Sequence, residues 1–89
     1  DTHPGLLRKG LFIPTQDVHW IRRDLALEVG NQVDYMVRIR YRQTLVKATL
    51  FAREEGLYIV FEHPVKAVAA GQFAAWYDGE ELIGSGVIA

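Results

Sequence analysis

Arg38, Arg40 and Arg42 stand at alternate positions of the stretch VRIRYRQ, Val37 to Gln43, with apolar or aromatic residues between them. On an extended strand, residues two apart project from one face about 6.6 Å from each other, so the three guanidiniums would form a row about 13 Å long. Guanidinium stays charged and binds phosphate oxygens two at a time, and such a row can follow a phosphate backbone. Met36 shares the face, and Lys47 lies on the next strand. The same spacing also describes an ordinary solvated sheet face, on which cross-strand carboxylates neutralise the arginines. The near-zero net charge of −1 weighs towards the solvated face when only the residues are considered. Both readings stand at this point.

The remaining candidates for chemistry are weaker. Gly84-Ser85-Gly86 resembles a phosphate-cradling loop only in composition. Such a loop must open a helix, and only Val87, Ile88 and Ala89 follow it. Glycine at these positions is better read as a bulge or a close backbone approach inside a strand. His3, His19 and His63 have no metal-ligand spacing. Glu54-Glu55 and Glu80-Glu81 fall in expected turns, and no Ser/His/Asp or Cys/His set can be assembled. Trp20, Trp76, Tyr41 and Tyr77 could stack on bases, although such residues more often fill cores.

The elements that would position the arginines are strands. Gln32 to Gln43 alternates strictly: Val33, Tyr35, Val37, Ile39 and Tyr41 share one face, and Asp34, Met36 and the arginines share the other. This is the pattern of a half-buried antiparallel strand. Leu45 to Arg53 and Leu57 to Glu62 form a hairpin around Glu54-Glu55-Gly56, and His63-Pro64 ends the run. Leu11 to Trp20, with Pro14 inside it, reads as an edge or interrupted strand, or as two short ones. Ile21 to Asn31 reads as a loop, in which Asp24 could cap a helical turn and Gly30 stop it. Val65 to Ala70 has no clear pattern. Gln72 to Tyr77 and Leu82 to Ile88 pair across a type I′ turn at Asp78-Gly79. About six short strands imply an all-β fold, a small antiparallel barrel or sandwich. Residues 1–10, with Pro4, Gly5 and Gly10, read as a lead-in from a preceding segment, and 11–89 as the β-domain.

Composition limits the function classes. Eighty-nine residues, 49% apolar and 24% charged, suit one globular domain with a single core. A dedicated nucleic-acid-binding domain is usually strongly basic, so any basic site here must be local. The absence of cysteine removes disulfides, thiolate nucleophiles and most structural zinc sites, and fits a cytoplasmic protein. No apolar run approaches the ~18 residues of a membrane span, and no signal peptide is visible. Because the chain starts at Asp1 rather than Met, it reads as part of something longer.

The order of several short motifs resembles a known family. RYRQ at Arg40 to Gln43 is followed by FEHPVKAVAAGQFAAWYDGEELIGSGVI at Phe61 to Ile88, and preceded by HPGLLRKGLFIPTQDVHWI at His3 to Ile21. This succession is similar to the C-terminal domain of tRNA-specific 2-thiouridylases. Its members read R-Y-R-Q, an acidic-Pro stretch, A-V-x-P-G-Q and a terminal Y-x-G-x-x-x-L-G-G-G-x-I. Two positions depart: Ala70 replaces the proline before Gly71-Gln72, and Ser85 the middle glycine of the terminal triplet.

The resemblance implies a six-stranded barrel similar to the second domain of translation elongation factors. It implies a parent enzyme that places sulfur on C2 of the wobble uridine of tRNA, using ATP and a cysteine persulfide. The family's ATP loop and both catalytic cysteines belong to an N-terminal domain, so this chain alone is expected to be inactive and to hold no cofactor or metal. The implied partners are tRNA, the catalytic domain of the same chain and a sulfur-carrier protein. The expected state is a monomer in the cytoplasm, or in the mitochondrial matrix of a eukaryote. The candidate tRNA-contacting residues are Arg38, Arg40, Arg42, Gln43 and Lys47. The alternative is a scaffold barrel that packs on the catalytic domain or the sulfur carrier and barely touches RNA, marked by an exposed apolar patch around Trp20 or Trp76.

Overall fold

The computed structural model describes residues 7–39, 44–66 and 68–89. Among them run seven strands: β1 Leu7–Pro14, β2 Val18–Trp20, β3 Gln32–Arg38, β4 Val46–Ala52, β5 Gly56–Lys66, β6 Phe73–Asp78 and β7 Glu81–Val87. Single 3-10 turns occupy Thr15–Asp17 and Arg23–Leu25. All strand pairs are antiparallel, in the order β1-β5-β4-β3-β6-β7-β2. The edge strands β1 and β2 are joined by only three residues, so the sheet must curl until its edges approach. The Ala89 N–H donates to the Phe12 carbonyl at 3.0 Å and stitches the end of the chain to β1.

The curl encloses one apolar core. Val37, Leu50, Ile59, Ile13, Ile83 and Trp76 are completely buried. Each comes from the inward-facing set of its strand, and β4 and β5 bury alternate residues over Ala48 to Ala52 and Leu57 to Phe61. Burial of a side chain of this size contributes about 1.5–3 kcal/mol. The alternation expected for the strand from Gln32 holds through its described length, with Val37 and Ile39 inside and Met36 and Arg38 on the outer face.

The all-β reading holds, but the strand count is seven rather than six. Three-residue β2, split from β1 after Pro14 by the 3-10 turn, brings the count to seven, which is the two-strand alternative for Leu11 to Trp20. Leu7 to Gly10, the end of the 1–10 segment read as lead-in, are paired in β1: Leu7 lies opposite Lys66 and Gly10 opposite Val60. β5 does not stop at His63-Pro64. Its partner jumps from Arg8↔Val65 to Gly10↔Val60, so His63 and Pro64 lie in a bulge where the ladder asks no N–H of proline.

At the last hairpin the pair Asp78↔Glu81 flanks the turn, which makes Gly79-Glu80 its centre rather than Asp78-Gly79. Gly79 takes φ +61 there, a left-handed angle that glycine adopts without strain. The one-residue offset arises at Ile83, where the register passes from Trp76↔Gly84 to Tyr77↔Leu82. The extra residue turns its carbonyl outward to accept both the Ile21 and Arg22 N–H groups, at 2.9 and 3.0 Å.

Candidate nucleic-acid interface

Arg38 is the last residue of β3 and lies opposite Ala75 of β6 on the outer face of the sheet. Tyr77, two residues along β6 on the same face, lies opposite Met36. The half-buried guanidinium is laid against this tyrosine: one Arg38 Nη donates to the phenol oxygen at 3.0 Å, and the guanidinium carbon is 5.0 Å from the ring centroid. A phenol partner fixes the long side chain while leaving its charge in place. Lys47 of β4 sits opposite Met36 on the other side. Lys47 and Arg38 are thus diagonal neighbours, with backbones about 7–8 Å apart.

Of the five sequence-predicted residues, Arg38 and Lys47 are therefore brought to one outer face. Arg40, Arg42 and Gln43 lie outside the described residues, as does Tyr41. Acids share the neighbourhood. Ala48 pairs with Phe61, which puts Glu62 across from Lys47, and Asp34 lies two residues before Met36. The Asp34 carboxylate accepts from the Thr49 hydroxyl at 2.6 Å. A shallow cleft of about 140 Å³ runs between Lys47, Met36, Tyr77 and Asp78. Tyr35 borders it, and burial, followed by the charge of Asp78, pushes its phenol above the usual tyrosine range.

Several other cations are committed to the fold. Arg22 binds Asp24 at 2.7 Å and Glu81 at 2.6 Å, and these hydrogen bonds raise its already high pKa. Asp24 caps no helix. It lies inside the 3-10 turn Arg23–Leu25, which has no side-chain cap, and the Arg22 hydrogen bond holds the carboxyl below its ordinary value. Arg53 folds back on its own strand, donating to the Ala52 carbonyl at 2.8 Å. Among the described residues no three His, Cys, Asp or Glu side chains gather as a metal site.

The aromatic candidates separate cleanly. Trp76 is fully buried and meets Trp20 edge-on, with ring centroids 5.4 Å apart, so it cannot stack on a base. Gly84, opposite both tryptophans, makes room for them. A Cβ at that position would lie 2.6 Å from the Trp76 indole nitrogen. Gly86 is likewise pressed against Ile13. Ser85 points to the opposite face, where a side chain fits. The triplet is therefore a packing device. Trp20 is half-buried and lines a cleft of about 340 Å³ with Val18, Leu27 and Val29. Sequence reasoning passed over Phe73, which is 64% exposed. Its signal was available, because counting back by two from a core Trp76 puts Phe73, Ala75 and Tyr77 together on the outer face.

With this geometry in place, comparison with known proteins gives concordant results. The family model described as an aminomethyltransferase beta-barrel domain matches residues 12–88. The tRNA-specific 2-thiouridylase of Flavobacterium johnsoniae is 54% identical over 86 residues, which is 97% of this chain and 22% of that protein. Its counterpart in Christiangramia forsetii is 51% identical, and that of Karelsulcia muelleri 43%, over the same shares. The chain thus spans about a fifth of the length of these curated relatives.

Proposed function

The chain belongs to the aminomethyltransferase beta-barrel domain family, and we propose that it is the tRNA-gripping, non-catalytic barrel of a tRNA-specific 2-thiouridylase. In this proposal the parent enzyme thiolates C2 of the wobble uridine with ATP and a cysteine persulfide, supplied by residues elsewhere. The 89 residues contain no cysteine, so no persulfide can form on them. The observation that carries the reading is similarity over 97% of the chain to proteins named for acting on tRNA. The outer face of β3 supplies the means: Arg38, held by Tyr77, beside Lys47. Phosphate contacts of this kind position an RNA rather than read its sequence.

The test is a titration of tRNA with the full-length parent, comparing wild type with variants in which Arg38, Arg40 and Arg42 are changed to Ala, and Lys47 likewise. Loss of affinity together with a shallower salt dependence is the expected result. Unchanged affinity and unchanged slope would make this face structural. A second reading, a scaffold that docks on the catalytic domain or a sulfur carrier, draws support from the apolar cleft beside Trp20, with Val29 61% exposed at its rim. Nuclease footprinting of tRNA on the parent distinguishes the two, since the scaffold reading expects no protection by this domain.

A further inference from the structure

Charge is sorted along the barrel in a way that the near-zero net charge conceals. Because neighbouring strands run antiparallel, the start of β1, the end of β5, the start of β4 and the end of β3 meet at one end of the barrel. Arg8, Lys9, Lys66 and Lys47 stand there, and among the described residues Glu62 is the acid that accompanies them. The other end gathers acids: Asp34 near the start of β3, Glu54 and Glu55 between β4 and β5, and Asp78, Glu80 and Glu81 around the β6–β7 turn. Strand pairing makes this separation, while the chain as a whole sums to −1.

The densest part of the basic end is the β1–β5 corner. Arg8 lies opposite Val65 and Leu7 opposite Lys66, so Arg8 and Lys66 are one position out of register on paired strands. With a rise of about 3.3 Å per residue and strands about 4.8 Å apart, their backbones are about 6 Å from each other. Lys9 follows Arg8 directly, and all three residues are exposed. The ion pairs among the described residues engage Arg22 and His63, and Arg8, Lys9 and Lys66 enter none of them. Glu62, four positions before Lys66, is instead 4.0 Å from His63. Three unpaired cations at this spacing repel one another. They sit on open strand ends rather than in a cavity, so the anion that relieves the repulsion must itself be extended. A run of backbone phosphates meets that requirement, and it releases its counterions on contact.

We propose that the β1–β5 corner formed by Arg8, Lys9 and Lys66 is a second contact surface for the phosphate backbone of tRNA, continued towards β3 by Lys47. The inference rests on the tRNA-gripping reading and sharpens it. It extends the contact from β3 to the strand ends of β1 and β5, and it sets how the barrel stands on the RNA: basic strand ends against the phosphates, acidic turns directed away. The Arg8 guanidinium can hold two oxygens of one phosphate, and the two ammonium groups act as point charges beside it. Contacts of this kind add affinity and orientation without sequence selectivity.

The experiment is a titration of unmodified tRNA transcript, at several salt concentrations, with the full-length parent carrying Arg8→Ala, Lys9→Ala and Lys66→Ala together. The expected result is binding weakened roughly tenfold or more at low salt, with a salt slope smaller by about two to three, near one for each lost phosphate contact. A companion variant, Arg8→Lys with Lys66→Arg, keeps every charge and should bind within about threefold of wild type, which separates loss of charge from loss of fold. Glu54→Gln with Glu80→Gln removes charge at the acidic end, beyond the screening length, and should leave affinity within about twofold. If those glutamines strengthen binding as much per charge as the alanines weaken it, only net charge is felt and the contact is overturned. If the triple variant binds as wild type while Lys47→Ala weakens binding, the corner is no contact and the gripping reading survives. If neither changes affinity, the tRNA-gripping reading falls with the inference. If the triple variant loses activity with tRNA affinity and slope intact, the corner docks protein and the inference is overturned.

Discussion

Replacing Gly84 by Ala tests whether the Gly84-Ser85-Gly86 triplet serves packing or a ligand. The added Cβ would sit 2.6 Å from the Trp76 indole nitrogen and 2.7 and 2.8 Å from two carbons of the same ring. Carbon–carbon contact is optimal at about 3.5–4.0 Å, so the indole would have to withdraw by roughly 1 Å. It has little room to do so: Trp76 is completely buried and Trp20 stands edge-on to it at 5.4 Å. Overpacking of a filled core costs about 1–3 kcal/mol, and a rigid ring with a ring behind it belongs at the top of that range. At about 4–8 °C per kcal/mol for a domain of this size, the melting temperature should fall by about 12–24 °C. Thermal unfolding of the 89-residue chain, followed by far-UV circular dichroism, measures this. Ser85→Ala, one residue away on the outer face, is the control and should change stability by no more than about 0.5 kcal/mol. A Gly84→Ala protein that melts within a few degrees of wild type would refute the packing argument, and weakened anion binding by that stable variant would point back to a ligand loop.

Four further outcomes are expected. Tyr77→Phe in the full-length parent should weaken tRNA binding only severalfold and leave the salt slope unchanged, because the hydroxyl that holds Arg38 is lost but its charge is not. Arg38→Ala should reduce that slope by about one, as expected for a lost phosphate contact. Asp24→Asn should destabilise the chain at neutral pH. The Asp24 carboxyl is held below its ordinary value by Arg22, so its contribution is present above the ordinary carboxylate range and disappears as pH falls through the lowered value. Urea midpoints of wild type and variant should accordingly converge in acid, and also at high salt. Leu50→Ala, at a fully buried position of β4, should cost about 2–5 kcal/mol in chemical denaturation.

Much of the fold could be read from alternation, and the departures have local causes. The strand from Gln32 was legible because one face is apolar at every second position, and a slip of one residue would expose Val37. Pro14 hinted at two short strands, but the bounds of β2 were not legible because three residues cannot display a period. The turn at Gly79 was misplaced by one position because nothing in the residue types announces the extra residue at Ile83. His63-Pro64 looked like a terminus because proline cannot serve a regular ladder, whereas here the ladder is bulged at that point. For the site, spacing correctly put Arg38 outside and Val37 inside. It could not disclose Tyr77 as the partner of Arg38, since that contact depends on β3 lying next to β6 across a long stretch of chain. Phe73 escaped notice for a different reason: a phenylalanine is ordinarily assigned to a core, and only the buried position of Trp76 fixes it outside.

The three-residue link from β1 to β2 also bears on how the domain comes into being. β1 completes its ladder with β5, and Val18 of β2 waits for Gly86 of β7. The earliest part of the chain is thus finished by nearly its latest part, and no early subset of strands can bury both halves of the N-terminal ribbon. Closure of this kind has a high contact order and sets a slow, concerted folding step. In a growing polypeptide the outer face shared by β3, β6 and β7 would be complete only once β7 has emerged and paired with both β6 and β2.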